Sequence, residues 1–356
     1  MYIFALIVLS LFPLLAAWGS SSQEKDPSPS ISQNFQTSTG TKEALQHWDI
    51  FADLLYWHVG EVGTIPNSTI STKFDNGLVS KLKMNNLDFD WNFGARGGAR
   101  YGHIGDNQWG ISLIYTWYRT KAKNKGAYDG FVGIPSGFPL TGTITDADFA
   151  NLFWLFADQR YHAKWTLNYN IIDLKLDHQY AVSKTLTLRP YLGLRGGWIY
   201  QDIHIYSLYH DVLSNNLPVP AKEKLTNHFW GVGPSAGIDT KWCLGRAGRH
   251  FFYLFGDLSG AFLWSTWDNS DHLKIGNTIA GTLKSKKRSA GSLMFQNLLG
   301  LEWDVKWNQR GAMFSLRLGF ESQFWFDNLQ IFNAYNGRQH NALTLQGGTF
   351  ELLFSF

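Results

Sequence analysis

The residues with chemistry to offer stand at alternate positions inside apolar segments. Arg96 and Arg100 are set among glycines and alanines. Asp173, Lys175 and Asp177 repeat at intervals of two, and Arg189 and Arg195, Asp239 and Lys241, Glu302, Asp304 and Lys306, and Arg317 and Glu321 keep the same parity within their own segments. Asp49, Asp53 and Asp257 extend the set. Side chains two apart on an extended backbone share a face, so this spacing gathers charge of both signs on one side of each segment. Such a face can pair into ladders that fill a narrow space, or line a wet constriction that selects ions. Other chemistry is thinly represented. Asp202-Ile203-His204 sets a carboxylate beside an imidazole that it can orient as a general base for water, with His58 and His228 expected near the same segment end. No Gly-rich phosphate loop, nucleophile elbow or metal-ligand spacing occurs, so no catalytic residue, metal ligand or cofactor is assigned. The single cysteine, Cys243, excludes an internal disulfide and argues against a Cys/His zinc site. A net charge of +3 is too small to argue for nucleic acid.

The elements that must carry these charges are strands. Apolar residues fall on the opposite parity: Trp48, Ile50, Leu54 and Tyr56 oppose Asp49 and Asp53, and Leu192, Leu194, Trp198 and Tyr200 oppose Arg189 and Arg195. Ten such segments can be read between Trp48 and Phe356, with a period of two throughout. Pro190 predicts a bulge in the fifth. The last ends Phe350, Leu352, Phe354, Phe356, an apolar face running to a terminal aromatic residue. A soluble sheet rarely stops on an exposed Phe. The chain is 44% hydrophobic, 16% aromatic and only 17% charged, with 35 glycines, a composition that suits a β-barrel with aromatic girdles at the membrane interfaces.

Connections alternate short and long. Short turns are expected near 105–107, 183–184, 244–249 and 308–311, and long loops near 60–82, 121–162, 202–226, 267–289 and 327–341; the apolar Leu152–Phe156 is expected as a short helix or plug within the second of these. Trp109 and Trp117 share a face eight residues apart, roughly 20 Å of height at about 3.3 Å per residue and about 40° of tilt. The girdle is assigned to Trp48, Trp109, Trp117, Trp230, Trp242, Trp264, Trp303 and Trp307. The fold predicted is all-β, a transmembrane antiparallel up-and-down barrel of about ten strands (10–12) over 47–356, with short periplasmic turns and long outer loops. Residues 1–19 read as a signal peptide, although no Lys or Arg precedes the apolar run, and 20–46 as a disordered leader rich in Ser, Thr, Gln and Pro. The charged parity then faces a lumen. With ten strands that lumen is narrow, and extra strands in 60–82 or 121–162 would widen it.

Several stretches resemble one family. Ala52-Asp53-Leu54-Leu55-Tyr56-Trp57 is similar to its first strand, Asn168–Leu176 to a middle strand, and Leu188–Ile199 and Gly231-Val232-Gly233-Pro234 to the two that follow. These resemble the pore-forming outer-membrane proteins of the Legionella major-outer-membrane-protein type, which also occur in environmental relatives of the chlamydiae. The resemblance spans roughly 48–356. It implies an outer-membrane barrel passing small hydrophilic solutes or ions, with Phe350, Leu352, Phe354 and Phe356 read by the barrel-assembly machinery. The alternative is a non-conducting structural or adhesive barrel acting through its loops. Asp202-x-His204 at a barrel rim also resembles the omptin proteases, a remote reading because their second acidic pair is matched only by Asp88 and Asp90. The expected partners are outer-membrane lipid and lipopolysaccharide, with Lys284, Lys286, Lys287 and Arg288 offering charge to lipopolysaccharide phosphates. A homo-oligomer is left open.

Overall fold

The computed structural model describes residues 47–62, 68–75, 78–86, 89–102, 109–128, 156–211, 217–284, 287–306, 312–333 and 337–356. The chain divides after Glu43, and the described residues all belong to the second unit. The expected signal peptide and leader lie outside them, as do Trp307 and all of the expected element Leu152–Phe156 except Phe156, which opens a strand.

The described residues form strands and turns and no helix. They are β1 (His47–Val62), β2 (Ser68–Asp75), β3 (Leu78–Asn86), β4 (Asn92–Gly102), β5 (Trp109–Tyr128), β6 (Phe156–His178), β7 (Tyr180–Ala181), β8 (Leu186–Asp211), β9 (Leu217–Ala247), β10 (His250–Ile275), β11 (Thr278–Lys284), β12 (Arg288–Lys306), β13 (Met313–Asn333) and β14 (Gly337–Ser355). Ten of them make a closed antiparallel barrel in the order β1-β4-β5-β6-β8-β9-β10-β12-β13-β14, and β14 returns to β1. The closing ladder runs from Asp49↔Ser355 to Val62↔Ala342. Trp48 and Phe356 seal its end with two reciprocal backbone hydrogen bonds of 2.9 Å. Closure leaves no barrel strand with an unpaired edge, which is what a sheet surrounded by lipid requires.

Parity decides what each strand shows. Outward residues are apolar and open: Leu192 is 69% exposed and Leu299 61%. Inward residues are buried, and many are charged. A register slip of one residue would exchange the two sets, so every ladder is fixed by the cost of turning an inward charge toward lipid. His47 and Phe356, the turns at 179–185 and 248–249, and the strand ends at Gly102, Trp109, Lys306 and Met313 lie at one end, the periplasmic end in barrels of this kind. The turn at Gly248-Arg249 is tight, and Gly248 takes φ 60° there, a conformation that favours glycine. A second demand for glycine lies inside the wall. Gly300 and Gly319 face each other across β12 and β13. A Cβ on Gly300 would meet Phe255 at 2.7 Å and the Leu318 carbonyl at 2.3 Å.

The outer end departs from expectation. Residues 202–226 are mostly strand: β8 runs on to Asp211 and β9 starts at Leu217, paired through Asp211↔Leu217. Likewise β10 continues to Ile275 with β11 folded back on it, and 68–86 forms a separate hairpin of β2 and β3. Strands of 26, 31 and 26 residues (β8, β9, β10) therefore project as a wall beyond the membrane band. The physical reason is pairing: adjacent strands satisfy each other's backbone groups past the lipid, where the outward face meets water and no longer has to be apolar. Pro190 makes no bulge. The β6–β8 ladder ends at Asp177↔Tyr191, so the missing N–H of Pro190 falls just beyond it.

Candidate functional site: the barrel lumen

The periplasmic half of the lumen is held by ion pairs. Arg96 on β4 donates from Nη2 to Glu321 Oε1 on β13 at 2.7 Å and from Nη1 to Asp53 Oδ2 on β1 at 3.3 Å. Arg100, two inward positions nearer the periplasm, joins Asp177 on β6 at 2.6 Å and Asp49 on β1 at 3.2 Å. Arg195 grips Asp173 through both Nε and Nη2, and Nη2 also donates to Gln296 Oε1 at 3.1 Å. Lys241 reaches Glu302 and Asp304, both at 2.7 Å, while Arg317 bridges Glu302 at 3.0 Å and Glu351 at 2.8 Å. Lys175 pairs with Asp257 at 3.5 Å and Arg189 with Asp239 at 3.2 Å. Several of these are chords: Arg96–Glu321 passes over β1 and β14, and Lys175–Asp257 over β8 and β9. Between them remains a cavity of about 480 Å³, lined from Asp49, Gln179 and Ser355 at the periplasmic end to Tyr169 and Gln323 at its depth.

Beyond that depth the lumen is dry. Trp57, Trp165, Trp267, Trp325, Tyr118, Tyr169, Phe229, Leu55 and Leu167 are each at most 1% exposed, and all point inward. Ring contacts cross the barrel. Tyr169 on β6 lies diametrically opposite β13, yet its ring sits 5.8 Å from Trp325 and its hydroxyl donates to Gln323 Oε1 at 2.5 Å. Trp57–Tyr169 at 6.5 Å and Phe229–Trp325 at 6.1 Å extend the layer to β1 and β9. Each lumen tryptophan places its indole N–H: Trp57 on Thr349, Trp165 on Gln201, Trp267 on the Asn328 carbonyl and Trp325 on Gln323. Buried indoles need such partners, and each of these four has one.

One segment completes the closure. The β13–β14 register jumps between Trp325↔Leu343 and Leu329↔Asn341, which sets three β13 residues against Ala342 alone. Asp327 takes φ 52°, a left-handed backbone that costs a non-glycine residue of order 1 kcal/mol or more. Phe326 and Asp327 turn outward while Asn328, Leu329 and Gln330 are all buried. The freed backbone is used across the lumen: the Asn328 carbonyl accepts from Trp267 at 3.0 Å and from Asn227 Nδ2 at 3.1 Å, and Asn328 Oδ1 accepts from Gln201 Nε2 at 3.1 Å. Gln330 adds bonds to Asn227 and Asn269.

Of the charged residues expected to face the lumen, Arg96, Arg100, Asp173, Lys175, Asp177, Arg189, Arg195, Asp239, Lys241, Glu302, Asp304, Arg317 and Glu321 lie inside and share the network above. Lys306 is different: it is exposed at the periplasmic end, with Nζ 5.1 Å over the Phe251 ring. Of the expected girdle, Trp48, Trp109 and Trp242 stand outward near the periplasmic edge, and Trp117, Trp230 and Trp264 near the outer one. Trp303 is outward but half-buried, stacked on His250 at 5.7 Å. Trp198 joins Trp117 and Trp230 in one rung. Leu352, Phe354 and Phe356 are exposed on the outside of β14, with Phe350 half-buried among them. Asp202 and His228 approach to 3.7 Å on the outer wall, His204 stands one rung above, and His58 is on β1, stacked near Trp91, away from them. Of the basic run, Lys284 and Lys287 are exposed and Arg288 lies opposite Trp267. Among the described residues no group of three or more His, Cys, Asp or Glu is arranged to hold a metal ion.

Inside the projecting wall, Glu223 and Asp271 are buried near each other, at 6% and 2% exposure. Burial first, and then the Asp271 charge, push the Glu223 carboxyl well above its ordinary value. The folded protein thus holds this proton more tightly than the unfolded chain, whose Glu titrates near 4.3. The stability contributed by this proton is complete below about pH 4 and is lost as pH rises through the folded value. Glu223→Gln should therefore stabilise the barrel at pH 8 and change little at pH 4, read as the urea midpoint in detergent at the two pH values.

No protein of curated function matches the sequence. Similar solved structures include the outer-membrane protease OmpT from Escherichia coli (10% identity, TM-score 0.37, covering 87% of this chain and 97% of that one). Others are the outer-membrane protein AlkL in lipid bilayers (10%, 0.27, 93% and 96%) and a Pseudomonas aeruginosa FadL homologue (7%, 0.26, 87% and 90%). Residues 42–356 match the family model of the Legionella pneumophila major outer membrane protein precursor. With this match over nearly the whole chain and a closed ten-stranded barrel apolar on its outside, the protein is an outer-membrane β-barrel that belongs to the Legionella major outer membrane protein family.

Proposed function

We propose that this barrel is a narrow channel for small hydrophilic solutes or ions, shut in the conformation described. The observation that carries the reading is how the lumen is shut. Its periplasmic half is a charged cavity, and the barrier above it is completed by the β13 segment Trp325–Gln330, within which Phe326–Asn328 have left the ladder. The backbone of a bulge can move without unzipping the wall, whereas backbone paired in the ladder cannot. The left-handed Asp327 stores strain that displacement would release. Mixed charge lining the cavity suits passage of small ions more than selection of one sign.

A second reading, a non-conducting barrel that serves envelope structure or adhesion, is favoured by the depth of the buried aromatic layer. The two separate in a planar bilayer. Full-length protein refolded in detergent is expected to be closed most of the time, with discrete steps of one unit size as the voltage is ramped. A protein that stays silent at every voltage, while remaining β-rich and heat-modifiable on gels, overturns the channel and leaves the second reading.

A further inference from the structure

The outward face of the projecting wall carries a basic band that takes no part in the lumen. Register sets Lys164 (β6), His204 (β8), Lys224 (β9) and His272 (β10) in one rung, each the direct cross-strand neighbour of the next. Lys222 and Lys274 face each other in the rung above. All six line one groove of about 580 Å³. Like charges directly opposite one another destabilise a sheet, and the protein does little to offset them. Among the described residues none of the four lysines lies within ion-pair distance of a carboxylate. The nearby acids are used elsewhere, Asp202 beside His228 at 3.7 Å and Asp268 beside Lys287 at 4.0 Å. Glu223 also lines the groove, but it is 6% exposed and sits on the inward parity. His204 registers the crowding: burial, and after it the Lys224 charge, lower its pKa against the opposing pull of Asp202.

The height of the band limits what can cover it. Trp198 and Trp230 form one rung of the outer girdle. Lys224 is six residues further along β9, roughly 15 Å above them at about 3.3 Å per residue and about 40° of tilt. The lysines therefore look sideways over the membrane surface rather than up into the medium. A soluble partner would have to lie against the wall at the level of the lipid headgroups; the lipid is already there. We propose that this band binds the phosphorylated headgroup sugars of lipopolysaccharide in the outer leaflet. Lysine ammoniums on flexible stems can reach several phosphates spread over lipid A and the inner core, and juxtamembrane lysines are drawn to anionic lipid surfaces.

The test uses the full-length refolded barrel in zwitterionic detergent. It is titrated with lipopolysaccharide that carries lipid A and a phosphorylated inner core, and in parallel with the same material dephosphorylated by hydrogen fluoride. Binding is read by calorimetry at low and at high salt. The wild-type protein should bind the phosphorylated form at least about tenfold more tightly than the dephosphorylated one, and salt should weaken that binding. The variant with Lys164, Lys222, Lys224 and Lys274 all changed to Ala should lose the difference, and the corresponding four-Arg variant should keep it. Equal affinity for the two lipid forms, or an Ala variant that binds like wild type, overturns the proposal. The Arg variant covers the case in which the Ala variant fails to fold. Because these residues lie outside the lumen, the bilayer conductance of the variants should match wild type, so this result stands apart from the channel reading.

Discussion

Glu321→Ala should cost the barrel about 3–5 kcal/mol, the scale expected when one partner of a buried ion pair is removed. Glu321 is 0% exposed and its oxygens are fully engaged. Oε1 accepts from Arg96 at 2.7 Å, from Gln296 at 2.9 Å and from Gln323 at 2.7 Å, while Oε2 accepts from Thr349 at 3.0 Å. Its loss leaves the Arg96 guanidinium inside the wall with Asp53 at 3.3 Å as its remaining ion pair. It also leaves two amide donors without their acceptor. Coulomb attraction and desolvation nearly cancel while the pair is whole, so the large effect belongs to the broken pair rather than to the pair itself. Two further variants separate these contributions. Glu321→Gln retains an acceptor but drops the charge and should fall between. The double change Arg96→Met, Glu321→Leu removes both charges and should recover most of the loss. Urea titration of the heat-modifiable form in detergent reads all three, and a Glu321→Ala loss below about 1 kcal/mol would mean that water compensates Arg96.

The second large effect concerns the closure. Deleting Asp327 and Asn328 leaves one residue, Phe326, opposite Ala342 and restores an even β13–β14 ladder. It removes the carbonyl that holds Trp267 and Asn227, and the side chain that holds Gln201. On the channel reading, the deletion should turn brief openings into a conductance that stays open for most of the record. Uptake of a small hydrophilic dye into proteoliposomes should rise at least about tenfold, because a barrier lowered by about 1.4 kcal/mol already gives that factor. The wall keeps all ten strands, so folding should survive. A complementary variant leaves the bulge alone and cuts the layer, Trp57→Ala with Trp325→Ala. Each change removes a fully buried indole and should lower stability by about 3–5 kcal/mol. If the deletion variant folds and stays silent, the bulge is not the gate.

Much of this was legible in parity alone. Asp173, Lys175 and Asp177 stand against Ile172, Leu174 and Leu176, and that is enough to place one set in the lumen and the other in lipid once the chain is taken as a barrel. The ten strands, the closing pair of termini and the outward Trp48, Trp109 and Trp117 follow from the same rule. The dry layer was missed although its signal was present. Trp57 and Trp165 share the parity of Asp53 and Asp173, and Trp267 and Trp325 that of Asp257 and Glu321. Read consistently, four inward tryptophans near the outer end announce a filled lumen. The eye assigns tryptophan to a girdle because membranes collect it there. The bulge at Phe326–Asn328 had no such signal: neither a Gly nor a Pro marks it, and its conformation depends on donors contributed by strands 61 to 127 residues away. The basic rung was hidden for a related reason. Lys164, His204, Lys224 and His272 are scattered along the chain, and only the ladders make them neighbours.

The β14–β1 seam has a consequence for how the molecule comes to exist. Every other ladder of the barrel joins strands that are close neighbours in sequence, so nine of the ten pairings can form early and locally. The last joins positions 292 residues apart, as Trp57 and Thr349 are. The entropy of bringing such distant segments together rises only slowly with length, about 0.6 kcal/mol for each doubling, so distance is a modest obstacle. The harder condition is that β1 and β14 must wait as two open edges, and Arg96, Glu321, Tyr169 and Gln323 cannot meet until those edges do. Lumen and wall are therefore completed in the same late event, and until then the charges of the future interior remain in water.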